Sequence, residues 1–546
     1  MAKTPDEKKN PAPEKNDALE SFLSREQEPV KDGETPAKKK LSRGSIALIT
    51  AIIAVAALIC VVVVIVNRPV TSTAESDALI EKPAELATTV DEKGEHQIEV
   101  PTDEEGEIIQ NGYGDLVSYV PAQIVKIEVE NTAGSFTVNA ETPEGEATIY
   151  TVTGLEGFEL RESMADSVAN DAASLSFTTV AAVGGNLADF GLDKPRATVR
   201  VTYNDNTTAT IRVGNPADGG VGTYAALGDS NDIFLVADDA VDSFLYSVLE
   251  MVSYEITPKA ESVDNDAFSV IELTGAHYPD PITIVPNTDE AIKSNYRLTA
   301  PYEMFADSYE CNDISGSIRD LYAESVVCVN PSDGQLAEFG VAQPYARVYA
   351  EYPDIVIDLS CSGPTDDGLV NIYNPSKGVI YTIRLDALGW ANSDMDQLLP
   401  KTVIELNKSA VRHITVNSGA KSYSLDVSVN RKTEKNDSGD EETVETYQAK
   451  LDGKKISEDA YSVFFRNFNI MNNLGAVNES GTHIVYEWRV SYNTGRADDV
   501  ISVYELGDKC PVALNGILIG SVSKSHAASL QQDILDLKNN KIPNSL

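Results

Sequence analysis

Five histidines, five cysteines and two tryptophans carry most of the reactive or ligating chemistry in this chain of 546 residues. His96, His277, His413, His483 and His526 are too scattered to give metal-ligand spacing. The cysteines form no CxxC pair, which excludes a zinc knuckle or a dithiol redox motif. Cys311, Cys328, Cys361 and Cys510 lie in the C-terminal bulk of the chain. The first three fall within one module, where either a disulfide or buried free thiols would suit an oxidising compartment. No HExxH, GxSxG, Walker A or GxGxxG stretch occurs in a strand-to-helix context. Ser521-Val522-Ser523-Lys524 fits SxxK but lacks the SxN and KTG partners of that chemistry, so it reads as chance. Asn215–Gly222, Pro364–Gly368 and Asp437–Glu442 are rich in oxygen ligands for calcium. None has the alternating ligands and terminal Glu of an EF-hand loop, and turn chemistry accounts for their Asp, Asn and Gly. The 23 tyrosines, with Trp390 and Trp488, offer stacking faces for sugars, yet tyrosine also suits cross-strand pairs in sheets. The expectation is therefore a non-enzymatic chain with no catalytic, cofactor-binding or metal-ligating residue.

The elements that position these residues begin with one apolar run. Ser45 to Val66 holds no charge and no proline and is long enough to cross a hydrocarbon core as a helix. Lys38, Lys39, Lys40 and Arg43 precede it and only Arg68 follows closely, which places the N-terminus in the cytoplasm and the rest outside. The run is too long for a secretory h-region, so an uncleaved anchor is expected; Ser72-Thr73-Ala74 is the alternative cleavage site. Cys60 lies inside the run and reads as a small apolar residue. Residues 1–43 form a proline-rich tail expected to be disordered. Within it, Leu19, Phe22 and Leu23 share one face of a short capped helix in Asn16–Leu23, either a docking peptide or a casual apolar fluctuation. Residues 44–66 are the expected transmembrane helix, and 67–115 an acidic flexible linker.

The net charge is −42. The tail before the anchor holds 10 Lys/Arg against 9 Asp/Glu, so the acidic excess lies beyond the apolar run. A surface of that sign repels nucleic acid and anionic lipid. Its acids are dispersed, as in a solvated face that resists association.

An internal repeat organises the remainder. Residues 187–203 (LADFGLDKPRATVRVTY) and 336–352 (LAEFGVAQPYARVYAEY) share eight of 17 positions at a constant offset of 149. IFLVADDA at 233–240 echoes IYTIRLDA at 380–387. Similar opening strands at Ile124, Phe268 and Val411 mark three modules, 116–262, 263–405 and 406–546, the last divergent because it has no FGLxxP turn. Each module reads as alternating strands, a helix near Glu162–Leu175 in the first, then a meander. Thr198–Tyr203 and Thr208–Val213 flank an Asn204-Asp205-Asn206 hairpin turn. Asp238 or Asp239 is expected to cap a helix running to about Val252. The class expected is α+β, with antiparallel meanders and packed helices.

The FGL-x-x-P turn, its two following hairpin strands, the Tyr-containing strand GTYAAL (222–227) and DIFLVADDAVDSFL together resemble the bacterial family called domain of unknown function 4340. That resemblance implies a single-span membrane protein with an extracytoplasmic repeat region, found in some cases beside ABC-type transporter components. It carries no catalytic residues to transfer. Gly191 and Pro195 read as structural, a φ > 0 turn and a stiff entry to a strand. The function expected is a membrane-anchored extracytoplasmic scaffold or binding protein, accessory to an ABC-type transporter; the alternative is a surface module for cell-wall glycan or another extracellular ligand.

Overall fold

Strand alternation dominates the molecule. In Ala197–Tyr203, Ala197, Val199, Val201 and Tyr203 are buried while the residues between them face outward. The computed structural model describes residues 84–104, 108, 112–143, 146–435, 441–475, 481 and 483–546. The apolar run Ser45–Val66, the short helix of Asn16–Leu23 and the site at Ser72–Ala74 lie outside the described residues. Among the described residues no helix is long and apolar enough to cross a membrane. The longest, Lys524–Lys538, has 15 residues.

Three sheets of 10, 9 and 8 strands follow one another along the chain. In the first, an opening meander (Ile124–Asn131, Gly134–Glu141, Ile149–Val152) is followed by the helix Glu162–Ala173. Then come the strand Ser174–Ala182 and a closing meander (Ala197–Tyr203, Thr208–Pro216, Thr223–Leu227, Ile233–Val236). Ile124–Asn131 pairs antiparallel with Ala197–Tyr203 and joins the two meanders into one sheet. The second sheet repeats that order, with Val270–Thr274 against Ala346–Glu351 at its centre. The third follows it without a strand between helix and closing meander among the described residues, with Val411–Ser418 against Ile484–Tyr492 at its centre. A helix covers each sheet. Val168, Ala169 and Ala172 do so in the first module, Cys311 and Ile314 in the second, and Phe464, Phe465 and Phe468 in the third. The core runs without a break from Leu86 to Leu537.

The conserved-looking turn has the expected geometry in both clear copies. Gly191 (φ +71°) ends the short helix Leu187–Phe190, and Gly340 (φ +75°) follows Asp333–Glu338. Leu192 N–H bonds Leu187 C=O at 2.8 Å, and Val341 N–H bonds Leu336 C=O at 3.0 Å. A Cβ at Gly191 would collide with the side chain of Asn215. At the hairpin, Asn206 takes φ +68° and Asp205 Oδ1 accepts from Thr207 N–H at 2.9 Å.

Three expectations need correction. The class is β-rich rather than α+β: large antiparallel sheets make the fold, and the helices are short covers. The helix expected from a cap at Asp238 or Asp239 to about Val252 is two 3-10 turns, Asp242–Leu245 and Val248–Met251. Tyr246 is extended, and Ser247 starts a new cap by accepting from Leu249 N–H, so the apolar spacing never closes a continuous helix. The acidic stretch read as a linker, 67–115, holds paired strands from residue 84 among the described residues. Ala84–Leu86 pairs parallel with Gly112–Gly114, Thr88–Val90 pairs with His96–Ile98, and Gly112–Ser118 pairs antiparallel with Ser174–Ala182. Glu85, Glu92 and Glu99 are exposed while Leu86, Ile98, Leu116 and Val117 are buried, and the partner of Gly112–Ser118 lies some sixty residues on, beyond any local window.

Candidate functional site

The sequence's candidate residues are dispersed through the three modules. His96 is buried, with Nε2 3.1 Å from Tyr119 Oη and 3.3 Å from Thr207 Oγ1, while Nδ1 has no hydrogen-bond partner among the described residues. Burial lowers its pKa, and Asp205 and Glu95 oppose that shift. Tyr119 stacks on Tyr203 with centroids 3.8 Å apart, so this cluster fastens the N-terminal strands to the hairpin turn. His277 lies between Tyr345 Oη (2.9 Å) and Ser393 C=O (3.0 Å). His413 meets Asp426 at 2.7 Å, and His526 bonds Asn467 C=O at 3.1 Å. Among the described residues no group of three or more His, Cys, Asp or Glu is placed to hold a metal ion. Cys311, Cys328, Cys361 and Cys510 are buried free thiols. Burial pushes the thiols of Cys311 and Cys361 up to about 12, which leaves them unreactive at neutral pH. Ser521 is a buried strand residue whose Oγ donates to Gly475 C=O, while Lys524 opens the last helix. Trp390 and Trp488 are fully buried.

One cleft with converging charge lies where no motif announced it. It has a volume of about 390 Å³ and lies between the second and third modules. Its second-module wall is Asp289, Arg297, Glu303 and the edge strand Met304–Phe305; Arg496, Asp498, Asp499 and the Leu514–Ile519 hairpin form the other. A smaller cavity of about 140 Å³ adjoins it and shares Phe305 and Leu514.

Arg496 holds the two walls together. Its Nη2 lies 2.9 and 2.8 Å from the Asp499 oxygens, Nε lies 3.1 Å from Oδ2, and Nη1 donates to Asp289. Its guanidinium lies 4.9 Å from the Phe305 ring centre and 5.3 Å from that of Tyr492. Burial pulls the Arg496 pKa down, but Asp499 and Asp289 more than reverse this, so it stays charged. Asp499, 1% exposed, also accepts from Tyr492 Oη at 2.5 Å and Asn515 Nδ2 at 2.7 Å. Arg297 is paired with Glu303 at 2.8 Å. Asp498 has only a 4.0 Å contact with Arg489. The cleft thus carries four carboxylates against two arginines, both already paired. It is a negative recess that favours cationic ligands. A sequence signal existed only in the Arg496/Asp499 spacing, which by itself is unremarkable.

These features define a class: a tandem array of antiparallel β-sheet modules fused into one body, with a charged cleft at a module junction. The chain belongs to the family described as Domain of unknown function (DUF4340), whose model matches residues 151–294 and 297–463, more than half of its length. Each match begins in the third strand of one opening meander. The first ends past the opening hairpin of the second module, and the second ends in the helix of the third module. The family's unit therefore spans a module junction rather than one sheet. A comparison with curated proteins finds no match.

Proposed function

We propose that the protein is a non-enzymatic scaffold or binding protein, tethered at a membrane by the apolar segment Ser45–Val66 and facing the extracytoplasmic side. Its ligand face is the cleft between the second and third modules. The observation that supports this most is that the cleft has walls from two modules, held in fixed relation by Arg496. Such a surface exists only while the array is rigid, which is the property a scaffold needs. The partner is a transporter complex of the ABC type, on family resemblance. Glycan binding is the weaker reading, because the strongest stacking residues, Trp390 and Trp488, are enclosed in the core.

The test is crosslinking of the tagged full-length protein in its native membrane, followed by mild-detergent purification and mass spectrometry. The expected result is a permease and its ATPase, with crosslinked positions bordering the cleft. Recovery of wall material alone, or of a partner crosslinked only to the first module, would overturn the reading.

A further inference from the structure

The two faces of the third sheet differ in kind. In Val411–Ser418, Ile414 and Val416 are buried, while His413 and Thr415, which alternate with them, point to the opposite side. Trp488, paired with Val416, packs on Phe468 of the covering helix Glu458–Asn469, so the core lies on that side. On the other side His413 Nδ1 lies 2.7 Å from Asp426 Oδ1 on the neighbouring strand, and Nε2 lies 3.1 Å from Thr415 Oγ1. A carboxylate only accepts hydrogen bonds, so it holds the ring proton on Nδ1, and Nε2 of the neutral ring accepts from the Thr415 hydroxyl. Hydroxyl, imidazole and carboxylate therefore stand in the order that makes an alcohol nucleophilic. Arg489 is the direct partner of Thr415 on Ile484–Tyr492, and directly opposed residues share a face. Half of its side chain is exposed, and among the described residues its ion pair is the 4.0 Å contact with Asp498.

We propose that Thr415 is an acyl-acceptor site. Its hydroxyl, with His413 as general base and Asp426 orienting the ring, takes an acyl group from an activated ester of a dicarboxylic acid, whose free carboxylate Arg489 attracts. The inference goes beyond the scaffold reading and does not depend on it, because one acylation marks the chain without turnover. Thr415 Oγ bonds the acyl carbon as His413 Nε2 takes the hydroxyl proton. The bond from that carbon to the leaving oxygen then breaks, and the proton passes from Nε2 to the departing alcohol. The products are an O-acyl threonine and a free alcohol, and nothing is oxidised or reduced. Asp426 and Arg489 are exposed and His413 and Thr415 half-buried, so a donor reaches the hydroxyl without any rearrangement. On a chain of net charge −42, the Arg489 cation gives an anionic donor a local counter-charge.

The probe is mono-p-nitrophenyl succinate, incubated with full-length protein in detergent micelles and read by peptide mass spectrometry. A hydroxylamine-labile succinyl ester is expected on Thr415, forming about a hundredfold faster than on Thr494, an exposed threonine of the same module. His413→Ala should remove that advantage, again about a hundredfold. Asp426→Asn should slow the reaction by about tenfold, and Asp426→Glu should restore most of the rate. Arg489→Ala should slow the succinate probe by about threefold to tenfold and leave p-nitrophenyl acetate unchanged. No ester on Thr415, equal rates at Thr415 and Thr494, or an unchanged rate in His413→Ala would overturn the proposal and leave a polar ladder on a sheet face. Failure of Asp426→Glu to rescue would remove the relay, and an equal loss for both probes in Arg489→Ala would remove the anionic donor.

Discussion

The two module junctions use cations differently. At the first, the connecting strand Glu255–Thr257 pairs with Leu321–Tyr322 and is held from several sides. Lys377 Nζ donates to Glu255 C=O at 2.8 Å and meets Glu255 and Glu159 carboxylates at 3.2 and 3.3 Å; Asn374 Nδ2 donates to Ile256 C=O at 2.8 Å. Thr257 Oγ1 donates to Ile318 C=O at 2.9 Å. The backbone of the connection is consumed by these bonds, and the adjoining cavity is only about 180 Å³. At the second junction the connecting backbone is bonded too: Lys293 N–H to Glu405 C=O and Asn407 N–H to Ala291 C=O at 2.8 Å, Val403 N–H to Met471 C=O and Asn473 N–H to Lys401 C=O at 2.9 Å, and Asn469 Nδ2 to Leu406 C=O at 2.8 Å. What differs there is one arginine reaching between carboxylates of the two modules, with the larger cleft beside it. A lysine that bonds the connection's own backbone leaves only the small cavity, whereas an arginine that reaches between side chains of two modules has the larger recess beside it.

The sharpest way to break that comparison is Arg496→Met. It strands Asp499 in the interior and should cost roughly 3–5 kcal/mol in denaturant unfolding. A loss below about 1 kcal/mol would mean the second junction does not depend on this side chain. Lys377→Met should cost less, about 1–2 kcal/mol, because Glu159 is largely exposed and the remaining bonds still hold the first junction. Phe305→Ala removes one face of the Arg496 stack and should cost about 1 kcal/mol while widening the cleft, read by the same unfolding curves. If Lys377→Met proved the most damaging of the three, the contrast between the junctions would be reversed.

The smallest effect is expected from pH, and it lies at neither junction. His96 has its folded pKa lowered by burial, so below its unfolded value of about 6.5 the unfolded chain binds more protons than the folded one. Stability should fall as the pH drops through that value, and His96→Gln should flatten part of the slope between pH 7 and 5. An unchanged slope in the variant would show that the N-terminal strands stay docked with His96 charged.

Much of the repeat was legible without coordinates. The offset of 149 located equivalent strands, the Asn204-Asp205-Asn206 turn formed where its residue types demand it, and Gly191 and Gly340 share one left-handed turn. The 242–251 segment misled because Phe244, Leu245 and Leu249 have helical spacing that is filled instead by two capped turns. Residues 84–118 misled because acidic composition hides strands whose partners are distant. The cleft was invisible for a related reason: Asp289 and Arg496 are 207 residues apart, and neither belongs to a motif.

What the sequence by itself determined is therefore periodic and local: strand alternation, turn chemistry, the duplication and the sign of the surface charge. These follow from side-chain period, backbone sterics and composition, each readable within a few residues. Only the tertiary structure decided that strands before residue 118 join the first sheet, that a third sheet follows the order of the first two without their post-helix strand among the described residues, and that Arg496 bonds a carboxylate in each of two modules beside a charged cleft. Those depend on which distant segments exclude water together, and no local pattern encodes that choice.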